Sequence, residues 1–532
     1  MNTAEFNLLY EPWVAVITNQ GVEKEVSLLD VFEHAHDYRS LAGELPTQDF
    51  AVLRLLLAVL YATFTRTDID GTSGKIDSPD KALIRWKQLW DRGSFPIEVI
   101  KSYLTSYEDR FWLFHPERPF YQVANLAQGT EYSGAKLIGD LSEGSNKPRL
   151  FPLRSGSGKE TLGNSETTRW LLYLNGFDDT SAKPSARGVG MPSPGAGWLG
   201  KLGLVAIEGE NLFETLLFNF VLLNNKDEPF AISSATWELA EVRHKEREKI
   251  TIPIDPLELL TLQSRRILLK RENGCVSGFL LLGGDFFTRE NAFVEQMTTW
   301  RNSTAKTDIC IPKRHRESRQ VWREFSSLLA EASEQQHRPG VVSWMATLRK
   351  ADILKHKLLR LRIAGIQFAD KDFYVDGIIS DSLTMSTGLL ADLGEGWIIE
   401  IGNLLNKTDR CVWFLGILAQ DIAKASGGSD EKSIDGIKAA AQERAYFALD
   451  IPFRKWLAQL EPSNDDHDAQ KEAWVRKMRK IIMDIANSLV EEAGEKAIRG
   501  ISKKTDDDKT VSLNAPKALG RFKCNIAKEC DL

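Results

Sequence analysis

The stretch Gly188–Gly203, GVGMPSPGAGWLGKLG, contains six glycines and two prolines. Inside it, Gly195-Ala-Gly-Trp-Leu-Gly200-Lys201-Leu202 departs from the phosphate-cradling loop G-x-x-x-x-G-K-[ST] only at its last position. Such a loop needs a strand before it, a helix after it, and a hydroxyl beside the lysine to hold Mg²⁺. Leu202 has no hydroxyl, Pro192-Ser193-Pro194 cannot lie in a central strand, and the following LGLVAIEG reads as a strand. No nucleotide site is expected there. Gly188-Val189-Gly190 opens like a dinucleotide loop, but Pro192 and Pro194 fall where the helix would build its first turns. What remains is a loop whose backbone can come close to another surface, because glycine places no side chain in the way.

His34-Ala35-His36-Asp37 is the next candidate, since a His–Asp pair can ligate metal. The eight histidines are scattered, and side chains two apart on a helix point away from each other. Without a convergent ligand set these are expected to be solvated residues, with no metal bound. No G-x-S-x-G, no H-E-x-x-H and no cysteine nucleophile with a base nearby is present, so no enzymatic activity and no cofactor are expected. Local basicity is more informative. No acidic residue lies between Ser181 and Ile207, while Lys183, Arg187 and Lys201 do. NKPRLFPLRSGSGKE adds Lys147, Arg149, Arg154 and Lys159 around Phe151, and QSRRILLKR and PKRHRESRQVWR are basic as well. Lysine and arginine on flexible loops neutralise phosphates, so these segments are candidates for nucleic-acid contact.

The elements that must position these residues belong to a chain of 532 residues, 42% hydrophobic and 27% charged, with a formal net charge of −6. Bulk charge therefore does not advertise a polyanion partner. Five scattered cysteines without a C-x-x-C pair suit a reducing compartment. Glu5 and Glu11 interrupt any secretory signal, and FAVLRLLLAVLY is short for a bilayer and carries Arg54, so a cytoplasmic protein is expected. FNLLYEPWVAVITNQGVEKEVSLLDVFEHA reads as a hairpin around Gln20-Gly21 and then a helix. LPTQDFAVLRLLLAVLYATF predicts a helix started by Pro46 and Thr47. From Tyr107 to Glu210 loops dominate, and NLFETLLFNFVLLN then resumes a buried helix. QSRRILLKR and VSGFLLLGG predict strands, VVSWMATLRKADILKHKLLRLRI a basic helix, and RIAGIQFADKDFYVDGI two short strands around Asp370-Lys371-Asp372. After Ser382 the period becomes helical in three long segments and a fourth near 514–528. The expected fold is α+β: a mixed, loop-rich domain over residues 1–382 and a C-terminal four-helix bundle over 383–532.

The order of several blocks resembles the CasA family, the large subunit of the type I-E CRISPR surveillance complex Cascade. They are NLLYEPWVAV, LAGELPTQDFAVLRLLLAVLY, FWLFHPERPFYQV, GAGWLGKLGLVAIEGENLFETLLFN and DPLELLTLQSRRILL. The resemblance implies a non-catalytic subunit near the 5′ end of the guide RNA. Such a subunit inspects double-stranded target DNA for the protospacer-adjacent motif (PAM), helps open the duplex for guide pairing, contacts the other Cascade subunits and docks the nuclease–helicase. The family's glycine loop falls on Gly188, Val189, Gly190 and Met191. A groove admits backbone where side chains are small, and Met191 departs from a purely glycine pattern. The family's wedge hairpin falls on Asp370, Lys371 and Asp372, where Lys371 replaces a glutamine. Its flexible loop near the guide falls on Lys147–Lys159, with Phe151 as an aromatic contact. A lysine that some members aim at the groove would fall near Gly283–Asp285, where this sequence has none. The competing reading is a helical scaffold that only joins proteins.

Overall fold

Pro46, whose fixed φ suits the first turn of a helix, opens the element around which the N-terminal unit is built. In the computed structural model, helix α1 (Pro46–Phe64) is buried from Thr47 to Phe64 on every side. By length and composition alone it could cross a membrane, but here it is enclosed by protein. The structure describes residues 4–139, 154–180, 195–245, 247, 249–304, 308–329, 337–369, 372, 374–391, 394–463, 466–504 and 510–530.

Helix α2 (Asn164–Phe177) packs along α1. It lies where the sequence led us to expect few helices. Its polar flanks conceal it, but its body from Thr167 to Phe177 is entirely buried. Its Arg169 donates to Trp13 O at 2.8 Å and to Glu25 at 2.6 Å, tying α2 to the N-terminal hairpin. That hairpin pairs Val14–Thr18 with Glu23–Val26, and Gly21 takes the φ of +82° its turn requires.

Two further sheets carry the site. Strand β1 (Thr130–Ser133) lies at one edge of the first. Strand β2 (Leu204–Glu208) is followed by helix α3 (Leu212–Asn219). This helix is shorter than expected. Buried Asn219 ends it by donating to Ile207 O at 2.7 Å and accepting from Ile207 N at 2.9 Å, and Val221 is captured by the Tyr61 hydroxyl. Strands β3 (Arg265–Glu272) and β4 (Cys275–Gly283) form a hairpin, and the sheet order is β1–β4–β3. Strands β5 (Leu358–Ala369) and β6 (Tyr374–Ser386) complete the second sheet in the order β6–β5–β2. Arg360 to Ala364 pair antiparallel with Glu208 to Leu204.

The long basic helix expected through Ile363 is corrected here. The helix spans Gly340–Lys350 only, Asp352 turns the chain with φ +56°, and β5 begins at Leu358. Leu359, Leu361 and Ile363 are buried while Leu358 and Arg360 are exposed, which is the alternation of a strand. The hairpin strands are thus 12 and 13 residues long, not two short pieces.

The chain divides into two compact units. The first holds Met1–Arg319, Ser327–Lys355 and Arg360–Ser382; the second holds Gln320–Ser326, His356–Leu359 and Leu383–Leu532. The second unit is mainly helical. Helices α4 (Gly394–Ala425), α5 (Glu431–Ala458), α6 (His467–Glu491) and α7 (Ala515–Cys530) are its long elements. Helix α4 packs against the other three. The seams are apolar: Leu415 and Leu418, Leu449 and Phe453, Met478 and Ile482, Phe522 and Ile526 are all buried. Trp322 stacks on Phe453 with ring centroids 4.6 Å apart, which explains why Gln320–Ser326 joins this unit. A short ribbon, Ile501–Lys504 with Thr510–Leu513, was not expected from sequence.

Candidate functional site

The candidate loop residues Gly188, Val189, Gly190 and Met191 lie outside the described residues. So do Asp370 and Lys371 of the hairpin tip and Lys147, Arg149 and Phe151 of the basic loop. The structure does describe what holds them. Gly197 N donates to Asp178 O at 2.9 Å, closing the foot of the glycine-rich segment. Only glycine fits at 197, since a Cβ would lie 2.4 Å from Gly176 O. Beneath the foot sits Arg265, fully buried in β3. Its Nε donates to the Asp178 carboxylate, and its Nη2 donates to Asp179 O at 2.8 Å and Gly195 O at 2.9 Å. One planar guanidinium thereby ties both sides of the loop foot, a task a single-point ammonium cannot perform. Lys136 adds an ion pair to Asp179.

The hairpin tip is held to the same foot. Thr180 N donates to Asp372 O at 3.0 Å. The Asp372 carboxylate takes both arms of Arg314, at 2.8 and 2.9 Å, and Arg314 lies 5.2 Å over the Phe368 ring. The described foot of the glycine-rich segment and Asp372 of the hairpin tip, far apart in sequence, are therefore brought together. Arg265 and Arg314 do this work, and the sequence offered only the basic runs QSRRILLKR and PKRHRESRQVWR, with no sign of which arginine faced which partner.

Lys201 stands beside this foot. It ends a short 3₁₀ turn, Leu199–Lys201, that leads into β2, so the helix of a phosphate loop is not there. Its Nζ lies 5.3 Å from the centre of the Phe286 ring, which Arg265 also covers at 5.5 Å. Burial pushes the Lys201 ammonium down to about 8, and the charges of Arg265, Arg289 and Arg314 push the same way. His315, next to Arg314, donates from Nε2 to Leu204 O at 3.0 Å; burial holds it at about 4, so it adds no charge at neutral pH.

The other candidates are accounted for differently. Arg154 forms ion pairs with Glu44 and Glu166, so its charge is met within the fold. Lys159 ends the turn Gly156–Lys159. His34 and His36 lie past the helix Leu28–Glu33, half-exposed and 3.4 and 3.6 Å from Asp37. Among the described residues no group of three or more His, Cys, Asp or Glu side chains could hold a metal ion. At Gly283–Asp285, Asp285 is buried and receives Arg247 at 2.8 Å through both arms, Arg266 at 2.5 Å and Arg243 at 3.3 Å.

Residues 7–485 match the family model for CRISPR-associated protein Cse1. The chain belongs to the Cse1 family. A curated CasA/Cse1 protein of Thermus thermophilus is 28% identical over 497 residues, covering 89% of this chain and 90% of the relative. The crystal structure of Thermobifida fusca Cse1 superposes with a TM-score of 0.82 at 31% identity, covering 99% of this chain and 98% of that one. A chain of a CRISPR RNA-guided surveillance complex has the same fold, with a TM-score of 0.72 at 17% identity over 99% of this chain and all (100%) of the other. The glycine loop foot and the hairpin thus sit in a Cse1 fold, and the mixed α and β architecture expected from sequence is the architecture of this family.

Proposed function

We propose that this Cse1-family chain is the large subunit of a Cascade surveillance complex. In this role it reads the PAM of double-stranded DNA with the loop at Gly188–Met191 and the hairpin tip at Asp370–Asp372. It destabilises the adjoining duplex for guide pairing and recruits the nuclease–helicase. The protein reads the short motif, and base pairing with the guide reads the rest. The observation that carries this reading is the hydrogen bond from Thr180 N to Asp372 O, which pins the loop foot to the hairpin tip. A loop that enters a groove and a wedge that parts the adjacent bases must act on neighbouring base pairs, so a common anchor suits them. The reading is that of a binding subunit of the cytoplasm, without a cofactor and without catalysis.

The test is PAM-dependent binding by the reconstituted complex, by electrophoretic shift, with wild-type subunit, with no subunit, and with Gly188→Asp plus Gly190→Asp. Two carboxylates in a DNA groove should weaken binding to the PAM duplex by roughly tenfold or more and leave binding to PAM-less DNA low. Wild-type binding by the double variant would remove the loop from the interface. Equal binding with and without the subunit would leave only the scaffold role.

A further inference from the structure

Lys201 belongs to a motif that the function above does not use. Its surroundings are unusual. Among the described residues its ammonium has neither a hydrogen-bond acceptor nor a carboxylate partner, and no acidic residue occurs between Ser181 and Ile207. The carboxylate whose charge it feels is Asp372, which already accepts both arms of Arg314. Arg265 is committed to Asp178 and to two loop carbonyls. Arg289, exposed, has no ion-pair partner among the described residues. Burying an ammonium without an anion is costly, and like charges beside it add to the cost. The cost falls when an anion arrives.

We propose that Lys201, with Arg289 and Arg314 beside it, forms a binding site for one phosphate of the DNA backbone at the foot of the glycine loop. The arrangement suits a phosphodiester. Lysine supplies a compact charge, Arg289 a planar donor pair and Arg314 the N–H groups that Asp372 leaves free, and the Lys201 ammonium and Arg314 guanidinium lie 5.3 and 5.2 Å from the centres of the Phe286 and Phe368 rings. A Cβ at Gly195 would lie 3.7 Å from Lys201 Nζ, so the loop foot borders the ammonium directly. A phosphate contact carries no sequence information and instead fixes the register of the duplex beneath the groove-reading loop. The site rests on the DNA-binding reading above, but not on where the PAM is read.

The experiment uses the reconstituted complex carrying Lys201→Met, titrated with PAM-bearing duplex across a range of salt concentrations. One lost phosphate contact lowers the slope of log affinity against log salt by about 0.9. The expected result is that drop, a several-fold loss of affinity at low salt, an unchanged order of PAM preference, and recovery of the slope in Lys201→Arg. In wild type, a single methylphosphonate in the duplex should give the same loss, and Lys201→Met should lose nothing more on that duplex. An unchanged slope in Lys201→Met overturns the proposal, as does a changed PAM order with the slope intact. Lys201→Gln is the second variant. Loss of folding in both, measured by thermal denaturation of the free subunit, would make Lys201 a structural cation and overturn the site as well. If Gly188→Asp plus Gly190→Asp binds normally while Lys201→Met loses its slope, the PAM loop is wrong and the phosphate site stands.

Discussion

Arg265 and Arg266 are neighbours in β3, both fully buried, and they serve two different clusters because successive strand residues face opposite sides of a sheet. On one side Arg266 joins Arg247 and Arg243 around Asp285. Every cation there points at one carboxylate, whose lone pairs are filled by four hydrogen bonds. On the other side Arg265 ties down the loop foot, but Lys201 and Arg289 have no ion-pair partner among the described residues. The first cluster is complete as it stands and holds the fold. The second is complete only with something negative added. Both arginines of the dipeptide are thus structural, but one borders a closed cluster and the other a cluster with cations to spare, and charge density in the sequence does not separate the two.

The comparison breaks most visibly at Asp285. Asp285→Ala leaves Arg266 buried without its anion, so denaturant unfolding of the free chain should show a loss of about 3–5 kcal/mol. Burial raises the Asp285 carboxyl, but the hydrogen bond from Arg247 and the charges of Arg266 and Arg247 outweigh it and hold the group below the usual carboxylate range. Its stabilisation is therefore present above that range and is lost as pH falls through the lowered value; the variant should show a flatter acid limb. The salt slope of DNA binding by the folded fraction should not change. A change would place Asp285 in the DNA-binding cluster and erase the distinction.

Asp178→Asn is the corresponding change on the other face. It keeps an oxygen for Arg265 but removes the charge, so the expected cost is smaller, about 1–3 kcal/mol. Here binding should suffer too, because Asp178 and Arg265 hold both sides of the loop foot. PAM-dependent affinity should fall by more than affinity for PAM-less DNA. Loss of stability without that preferential loss would make the foot a packing feature like the Asp285 cluster.

How much of this was legible in the sequence follows from the range of each interaction. Helix α1, the hairpin at Gly21 and the long helical segments after Ser382 rest on local signals: Pro46 at a helix start, a turn dipeptide, a 3.6-residue period. The β5 strand reads as helix because the helix before it ends at Lys350 and the chain turns at Asp352 without a glycine or proline to mark the stop, and its leucines suit either period. Helix α2 was missed because its glycine- and asparagine-rich flanks look like loop. The site was legible only in outline. Basic runs and a glycine-rich loop pointed to the region, but the pairing of Arg265 with Asp178, 87 residues apart, or of Arg54 with Glu295, 241 apart, leaves no local pattern.

Asp372 tests the comparison most finely. It is the one carboxylate of the hairpin tip among the described residues, and it and Arg314 are each about a third exposed. A pair so exposed contributes little to stability, so Asp372→Asn should cost no more than about 1 kcal/mol. Its effect on binding should have the opposite sign to that of Lys201→Met. Removing a negative charge beside Lys201, Arg289 and Arg314 leaves the cluster more positive, and the Arg314 guanidinium becomes available to phosphate. Affinity for PAM-less duplex should therefore rise several-fold at low salt, and the ratio of PAM-bearing to PAM-less binding should fall. That outcome would show Asp372 restraining sequence-independent binding by the cluster, through the two hydrogen bonds it accepts from Arg314. If Asp372→Asn instead weakened binding to every duplex, Arg314 would be a strut for the hairpin, and the second cluster would be as closed as the first.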